Sequence, residues 1–77
     1  MTSPSDIAIA IKTARRALKL RQAELAAAAG VGLRFLVELE AGKPTVQLDK
    51  TLAVLDALGL DFQLTSRTES QARQDRP

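Results

Sequence analysis

The side chains best suited to recognising another molecule stand on one predicted helix, Leu33–Ala41. The helical pattern turns Leu36 and Leu39 inward. Three side chains then point outward together: Leu33, Arg34 and Val37. An arginine guanidinium can donate two hydrogen bonds to O6 and N7 of guanine, which is worth roughly 1–3 kcal/mol of discrimination. The two apolar neighbours can contact thymine methyl groups. The alternative is that Arg34 is an ordinary solvated surface arginine.

Other residues near this helix are typical of phosphate contact. Gln22 stands at the start of a preceding helix, where a side-chain amide, free backbone N–H groups and the helix dipole all favour an anion. Arg21 and Lys43 lie at the two edges of the helix pair, although Lys43 is equally consistent with a solvated loop. Glu38 either accepts from cytosine N4 or is a solvated charge that repels phosphates. Phe35 either packs at the edge of the core or contacts the sugar-phosphate backbone, and we favour packing.

The charge distribution agrees with such a partner. Residues 1–43 hold seven basic and four acidic side chains, a net charge of +3, whereas residues 44–77 hold four basic and five acidic ones, a net charge of −1. Positive charge therefore collects around the helix pair, as expected of a protein that contacts phosphates.

The composition argues against several other classes of protein. The 77-residue chain is one small domain with no cysteine and no histidine, so it has no disulfide framework, no thiolate metal site and no histidine general base. We predict no cofactor and no metal. The serines at 3, 5, 66 and 70 have no histidine to activate them, so we expect no enzyme. No apolar run reaches the length of a membrane span, and a soluble cytoplasmic protein is the expectation.

Four helices are predicted to position these residues. The first spans Asp6–Leu18 and the second begins near Gln22. The third spans Leu33–Ala41, and the fourth spans Gln47–Leu58. Ser5 is the expected N-cap of the first, and Gly30 is expected to make the turn between the second and the third with a positive φ. The last helix is predicted to bury a stripe formed by Leu48, Leu52, Leu55 and Leu58, with Val54 or Thr51 at its margin. Residues 1–5 are predicted to be a flexible leader, residues 6–66 the folded domain and residues 67–77 a disordered polar tail.

The period of the sequence changes after Gly59. Leu60, Phe62 and Leu64 alternate with polar residues, which predicts a β-strand over residues 60–65. A lone strand leaves its backbone groups unpaired, and the chain offers no second strand. The pattern therefore favours antiparallel pairing with the same segment of a second copy, in a two-fold homodimer. The alternative is an extended tail that packs on its own helices.

Three short motifs carry a resemblance to a known family. Gln22-Ala-Glu24-Leu25-Ala26, Gly30 and Leu39-Glu40-Ala-Gly42-Lys43 together resemble the helix-turn-helix of phage-repressor-like (XRE) regulators, over about residues 8–60. The longer string GVGLRFLVELEAGKPTVQLDKTLAVLDALGLDFQL is similar, more narrowly, to HipB-type antitoxins. The fold implied is all-α: a lambda-repressor-like bundle of four to five short helices, with a C-terminal strand that completes a homodimer.

The resemblance also implies roles for individual residues. Phosphate contacts would come from Gln22 and Lys43, and an ion pair between Arg15 and Glu40 would hold the first helix to the end of the third. The implied base-contacting positions are Gly32, Leu33, Arg34 and Val37. Arg21 departs from the family pattern, because a Ser, Thr or Asn often stands there, and this favours a phosphate-binding role for it.

The function implied is a nucleoid-associated repressor that binds double-stranded operator DNA. As a HipB-type antitoxin it would repress its own operon and neutralise a HipA-type Ser/Thr kinase toxin. The alternatives are a free-standing XRE-family repressor without a toxin, and an adaptor that uses this fold to bind protein rather than DNA.

Overall fold

The computed structural model describes residues 2–64 and 66, and the part of the chain so described forms four helices and no strand. We number them α1 (Pro4–Ala17), α2 (Gln22–Ala29), α3 (Leu33–Glu40) and α4 (Leu48–Ala57). Helix α2 packs against both α3 and α4, and α1 packs against α3. None of these helices is long and apolar enough to cross a membrane.

Helix α1 begins earlier than the sequence predicts. Its N-cap is Ser3 rather than Ser5: the Ser3 hydroxyl accepts from the Asp6 N–H at 3.2 Å, and the Asp6 carboxylate accepts from the Ser3 N–H at 3.0 Å. The Ser5 prediction was wrong because only Ser3 has an acidic residue three positions on to complete this reciprocal pair. Pro4 then occupies the first helical position, where its missing N–H costs nothing.

The sharp turn between α2 and α3 is confirmed. Gly30 has a φ of 73°, and the N–H of Val31 donates to the Ala26 carbonyl at 3.0 Å, which closes the end of α2. Val31 is half-buried and packs against the core, while Leu25 and Ala26 are buried beneath it. The small side chain of Ala26 lets the two helices approach closely.

The core lies between all four helices. Its fully buried side chains come one from each helix: Ile11, Leu25, Leu36 and Val54. Because every helix contributes to a single cluster, the inner side of α3 packs against the other three helices, which fixes the orientation of its outer side.

The predicted buried stripe of α4 was only half right. Leu55 and Leu58 are buried, but Leu48 and Leu52 remain 65% and 41% exposed, and Thr51 and Val54 occupy the core in their place. Thr51 can be buried because its hydroxyl donates to the Gln47 carbonyl at 2.9 Å, so no polar group is left unsatisfied. Helix α4 is apolar on two sides, and the sequence pattern alone did not show which side faces the core.

The segment after α4 does not form the predicted strand within the single chain. Leu60 is half-buried against the core, and residues 61–64 have no regular secondary structure. A strand requires a second strand to pair its backbone groups, and none is present among residues 2–64 and 66. Thr65, Met1 and the predicted tail over residues 67–77 lie outside the described residues.

Candidate nucleic-acid interface

Helix α3 has two clearly different faces. Leu36 and Leu39 are buried, at 0% and 3% exposure, whereas the Arg34 side chain is 94% exposed. Leu33 and Val37 flank the arginine and are each exposed over nearly half of their surface. The structure therefore brings the arginine and two apolar side chains together on one outward face, as the helical period predicts.

The approach to this face is open at its N-terminal end. Gly32 is the N-cap of α3, with an extended backbone (φ −72°, ψ 150°) and no side-chain cap. A Cβ built on Gly32 would meet no atom within 4 Å, so nothing in the described residues crowds this end. The first N–H groups of α3 lack a side-chain partner here, which makes the helix terminus favourable for a negatively charged or acceptor group.

The start of α2 carries two of the predicted phosphate contacts. Arg21 extends into solvent with its side chain 90% exposed, and its backbone N–H donates to Glu24 Oε1 at 2.8 Å. Gln22 is half-buried, and its Nε2 donates to Glu40 Oε1 at 3.3 Å. Since an amide nitrogen carries two hydrogens, one remains for a phosphate while the other fixes the side chain.

The same glutamate holds α1 to α3. Glu40 accepts from Arg15 Nε at 2.7 Å and from Arg15 Nη2 at 3.0 Å, and Arg15 Nη1 donates to the Leu20 carbonyl at 2.8 Å. The two side chains are only 11% and 2% exposed. The hydrogen bonds that Arg15 donates to Glu40 raise the pKa of the Arg15 guanidinium above its ordinary value. The ion pair implied by the resemblance is thus present, and Gln22 and Leu20 join it, which no sequence spacing indicated.

At the other end of α3, one carboxylate faces two cations. Lys43 Nζ lies 2.7 Å from Glu38 Oε2, and Arg34 Nε lies 4.0 Å from Glu38 Oε1. The hydrogen bond from Lys43 holds the pKa of Glu38 below its ordinary value. The four-residue spacing of Arg34 and Glu38 could have revealed their proximity. The contact between Lys43 and Glu38 could not be predicted from their spacing in the sequence, because it depends on the turn at Gly42, whose φ is 84°.

One further lysine approaches α3 from α4. Lys50 Nζ lies 5.7 Å from the centre of the Phe35 ring, within the range of a cation–π contact. Phe35 is half-buried and packs against the core, as expected. Lys50 was not among the predicted site residues, since its position relative to Phe35 depends on how α4 packs.

Comparison with known proteins identifies the family. A family model described as Helix-turn-helix matches residues 11–64 of this chain. The chain belongs to the XRE-type helix-turn-helix family. It is also 49% identical over 67 residues to a protein of Sinorhizobium fredii (strain NBRC 101917 / NGR234) described as "Uncharacterized HTH-type transcriptional regulator y4mF". That match covers 87% of this chain and 88% of the relative. The family is one of transcriptional regulators that bind DNA, and not a class of enzymes.

Solved helix-turn-helix structures share the fold. The structure described as "HipB-O4 20mer complex" has a TM-score of 0.79 and 25% identity, over 87% of this chain and 94% of the other. The one described as "HipB(S29A)-O2 20mer complex" has a TM-score of 0.79 and 27% identity, over 87% and 93% of the two chains. The resemblance of this helix-turn-helix protein to HipB is therefore confirmed, as is the all-helical fold of its described part.

Proposed function

We propose that this helix-turn-helix regulator is a sequence-specific repressor whose helix α3 enters the major groove of operator DNA. The observation that carries the proposal is the contrast between the 94% exposed Arg34 side chain and the fully buried Leu36 on the same short helix. Arg34 donates to a guanine, and Leu33 and Val37 contact thymine methyl groups. Gly32 lets the backbone of α3 come close to the bases, because no side chain stands there.

Three residues around this helix hold the sugar-phosphate backbone in the proposed complex. Gln22 and Arg21 do so at the start of α2, and Lys43 does so just beyond α3. The Gln22 amide is already fixed by Glu40, which Arg15 holds in turn, so little conformational freedom is lost on binding. Each of these contacts adds affinity without choosing a sequence.

We also propose that the repressor is a two-fold dimer, which presents two α3 helices to a palindromic site. An apolar groove of about 430 Å³ runs between α1, α4 and the segment after α4. Its walls include the exposed Leu48, Leu52 and Phe62, and Leu64 lies beyond them with 84% of its surface exposed. The proposed occupant is the 60–65 segment of a second copy, in which Leu60, Phe62 and Leu64 pair as a strand. Such pairing would give residues 61–64 a partner strand, which residues 2–64 and 66 do not contain.

The DNA-binding proposal is tested with Arg34→Ala and, as a control of equal charge change, Arg16→Ala on the exposed surface of α1. Binding to the promoter upstream of the gene and to unrelated duplex is measured by fluorescence anisotropy. Arg34→Ala should weaken promoter binding about 5- to 150-fold, corresponding to roughly 1–3 kcal/mol, and should relax the sequence preference. Arg16→Ala should leave the sequence preference unchanged. An unaltered preference in Arg34→Ala would remove Arg34 from the reading role, and a wild-type chain that binds no duplex at low salt would favour the adaptor function.

The dimer proposal is tested by sedimentation of Phe62→Asp beside Ala28→Asp, which adds the same charge at an exposed position of α2 that does not line the groove. Phe62→Asp should give monomers with weakened promoter binding, whereas Ala28→Asp should remain dimeric. If both variants stay dimeric, or if truncation after Gly59 does, the interface lies elsewhere.

As the specific biological role, we propose the antitoxin of a HipBA-type system. The similarity of the fold to HipB, at a TM-score of 0.79, supports this role, as does the resemblance of residues 30–64 to HipB-type antitoxins. The protein would repress its own operon and bind a HipA-type kinase. Co-expression with the product of the adjacent gene tests it: a stable complex that suppresses kinase activity supports the antitoxin role. Intact promoter binding with no such partner would leave a free-standing repressor.

A further inference from the structure

Glu38 occupies an unusual place for an acidic residue. It stands on α3 one turn after Arg34, on the side of the helix that carries the proposed base and phosphate contacts. Its two carboxylate oxygens face different cations: Oε2 lies 2.7 Å from Lys43 Nζ, and Oε1 lies 4.0 Å from Arg34 Nε. The carboxylate therefore offsets positive charge at the two residues that the proposed complex needs most.

Stability does not account for this arrangement. The Glu38 and Lys43 side chains are 36% and 45% exposed, and exposed ion pairs contribute little to folding because water and salt screen them. The DNA-binding consequence is larger, since affinity for a duplex depends on how many cations replace condensed counterions at the phosphates. While Lys43 is paired with Glu38, the ammonium keeps two further N–H donors, but the carboxylate offsets the charge that Lys43 would bring to a phosphate.

We infer that Glu38 is a specificity-determining residue that withholds Lys43 from sequence-independent DNA binding. The inference rests on the proposed function. In a complex with unrelated duplex, no phosphate is held at a fixed place beside Lys43, and Glu38 remains the partner of Lys43. In the operator complex Arg34 anchors α3 in the groove, a phosphate is held at a fixed place beside Lys43, and the ammonium exchanges Glu38 for that phosphate. Glu38 thus weakens binding to unrelated duplex more than binding to the operator.

The test compares Glu38→Gln with Asp56→Asn, which removes one negative charge from the exposed surface of α4. Affinities for promoter and unrelated duplex are measured from about 50 to about 200 mM salt. In a plot of log affinity against log salt concentration, Glu38→Gln should steepen the slope for unrelated duplex by about 0.9. Its gain in affinity over the wild type should therefore be about threefold larger at the low-salt end of this range than at the high-salt end. The slope for promoter binding should stay unchanged. The ratio of promoter affinity to unrelated-duplex affinity should fall. Asp56→Asn should change neither slope.

A second background tests whether the effect passes through Lys43. In Lys43→Met there is no ammonium to release, so Glu38→Gln should no longer steepen the slope for unrelated duplex. An equal gain in both backgrounds would overturn the inference, because the carboxylate would then act by general repulsion of phosphates. Weaker promoter binding with an altered base preference would also overturn it and would identify Glu38 as a cytosine contact. If Glu38→Gln leaves the affinity and the salt slope for unrelated duplex unchanged while promoter recognition still depends on Arg34, this inference alone is refuted. If the wild type binds no duplex, the proposed function is refuted with it.

Discussion

Replacement of Arg15 by methionine removes the main partner of a buried carboxylate. Glu40 is 2% exposed in its side chain, and two of its three hydrogen bonds come from Arg15, at 2.7 and 3.0 Å. Among the residues that the structure describes, only the Gln22 amide, at 3.3 Å, would remain to satisfy it. The opposite change, Glu40→Leu, leaves the Arg15 guanidinium with the Leu20 carbonyl as its one remaining acceptor among those described.

The expected cost follows from burial. Breaking a buried ion pair on one side costs about 3–5 kcal/mol, because an uncompensated charge is left in the protein. For a small domain each 1 kcal/mol lowers Tm by roughly 4–8 °C, so either single variant should lose at least about 12 °C. The double variant Arg15→Met/Glu40→Leu leaves no buried charge behind. It should come within about 1 kcal/mol of the wild type or exceed it, since apolar replacements of buried pairs are often neutral or stabilising.

Urea unfolding of the four proteins, followed by circular dichroism at one protein concentration, completes the double-mutant cycle. Single losses of at least about 3 kcal/mol each and a double loss of at most about 1 kcal/mol give a coupling of at least about 5 kcal/mol between the two sites, with similar m-values for all four proteins. A single variant that loses less than about 1 kcal/mol, or a double variant whose loss is the sum of the two single losses, would show that this pair does not hold α1 to α3.

Two further predictions concern the helix pair. Gly30→Ala should destabilise the domain by about 1–2 kcal/mol, because φ is 73° there and no atom within 4 Å would meet the new Cβ, so that the cost is conformational alone. A thermal melt within about 2 °C of the wild type would contradict this. Lys43 lowers the pKa of Glu38 below its ordinary value of 4.5, so this exposed pair should add a small stabilisation above about that pH, which should be lost as the pH falls further. The difference in stability between wild type and Glu38→Gln should shrink over that acid range, and a difference that stays constant there would contradict the assignment.

The sequence predicted those elements whose local signals agree with the packing. Gly30 marks the turn because a left-handed backbone conformation strongly favours glycine, and α3 shows its two faces because Leu36 and Leu39 recur at the helical period. Its outward Arg34 follows from that period alone.

Other features depend on packing that local patterns do not encode. Helix α4 has apolar residues on two sides, and its packing against the other helices places Val54 rather than Leu48 in the core. The contacts of Glu40 with Gln22 and of Glu38 with Lys43 join residues through tertiary structure or a turn. Conversely, the alternation of Leu60, Phe62 and Leu64 predicts a strand that the described part of the chain does not form, because a strand needs a second strand to pair with and residues 2–64 and 66 contain none.

The most direct test of the account is an NMR titration of the ¹⁵N-labelled chain with duplex from the upstream promoter. If α3 enters the groove, the largest amide shifts should fall on residues 32–38, at the start of α2 and at Lys43, and they should weaken on unrelated duplex. Shifts that concentrate along the groove between α1 and α4, with α3 unaffected, would contradict the central claim that the Arg34 face of α3 reads DNA.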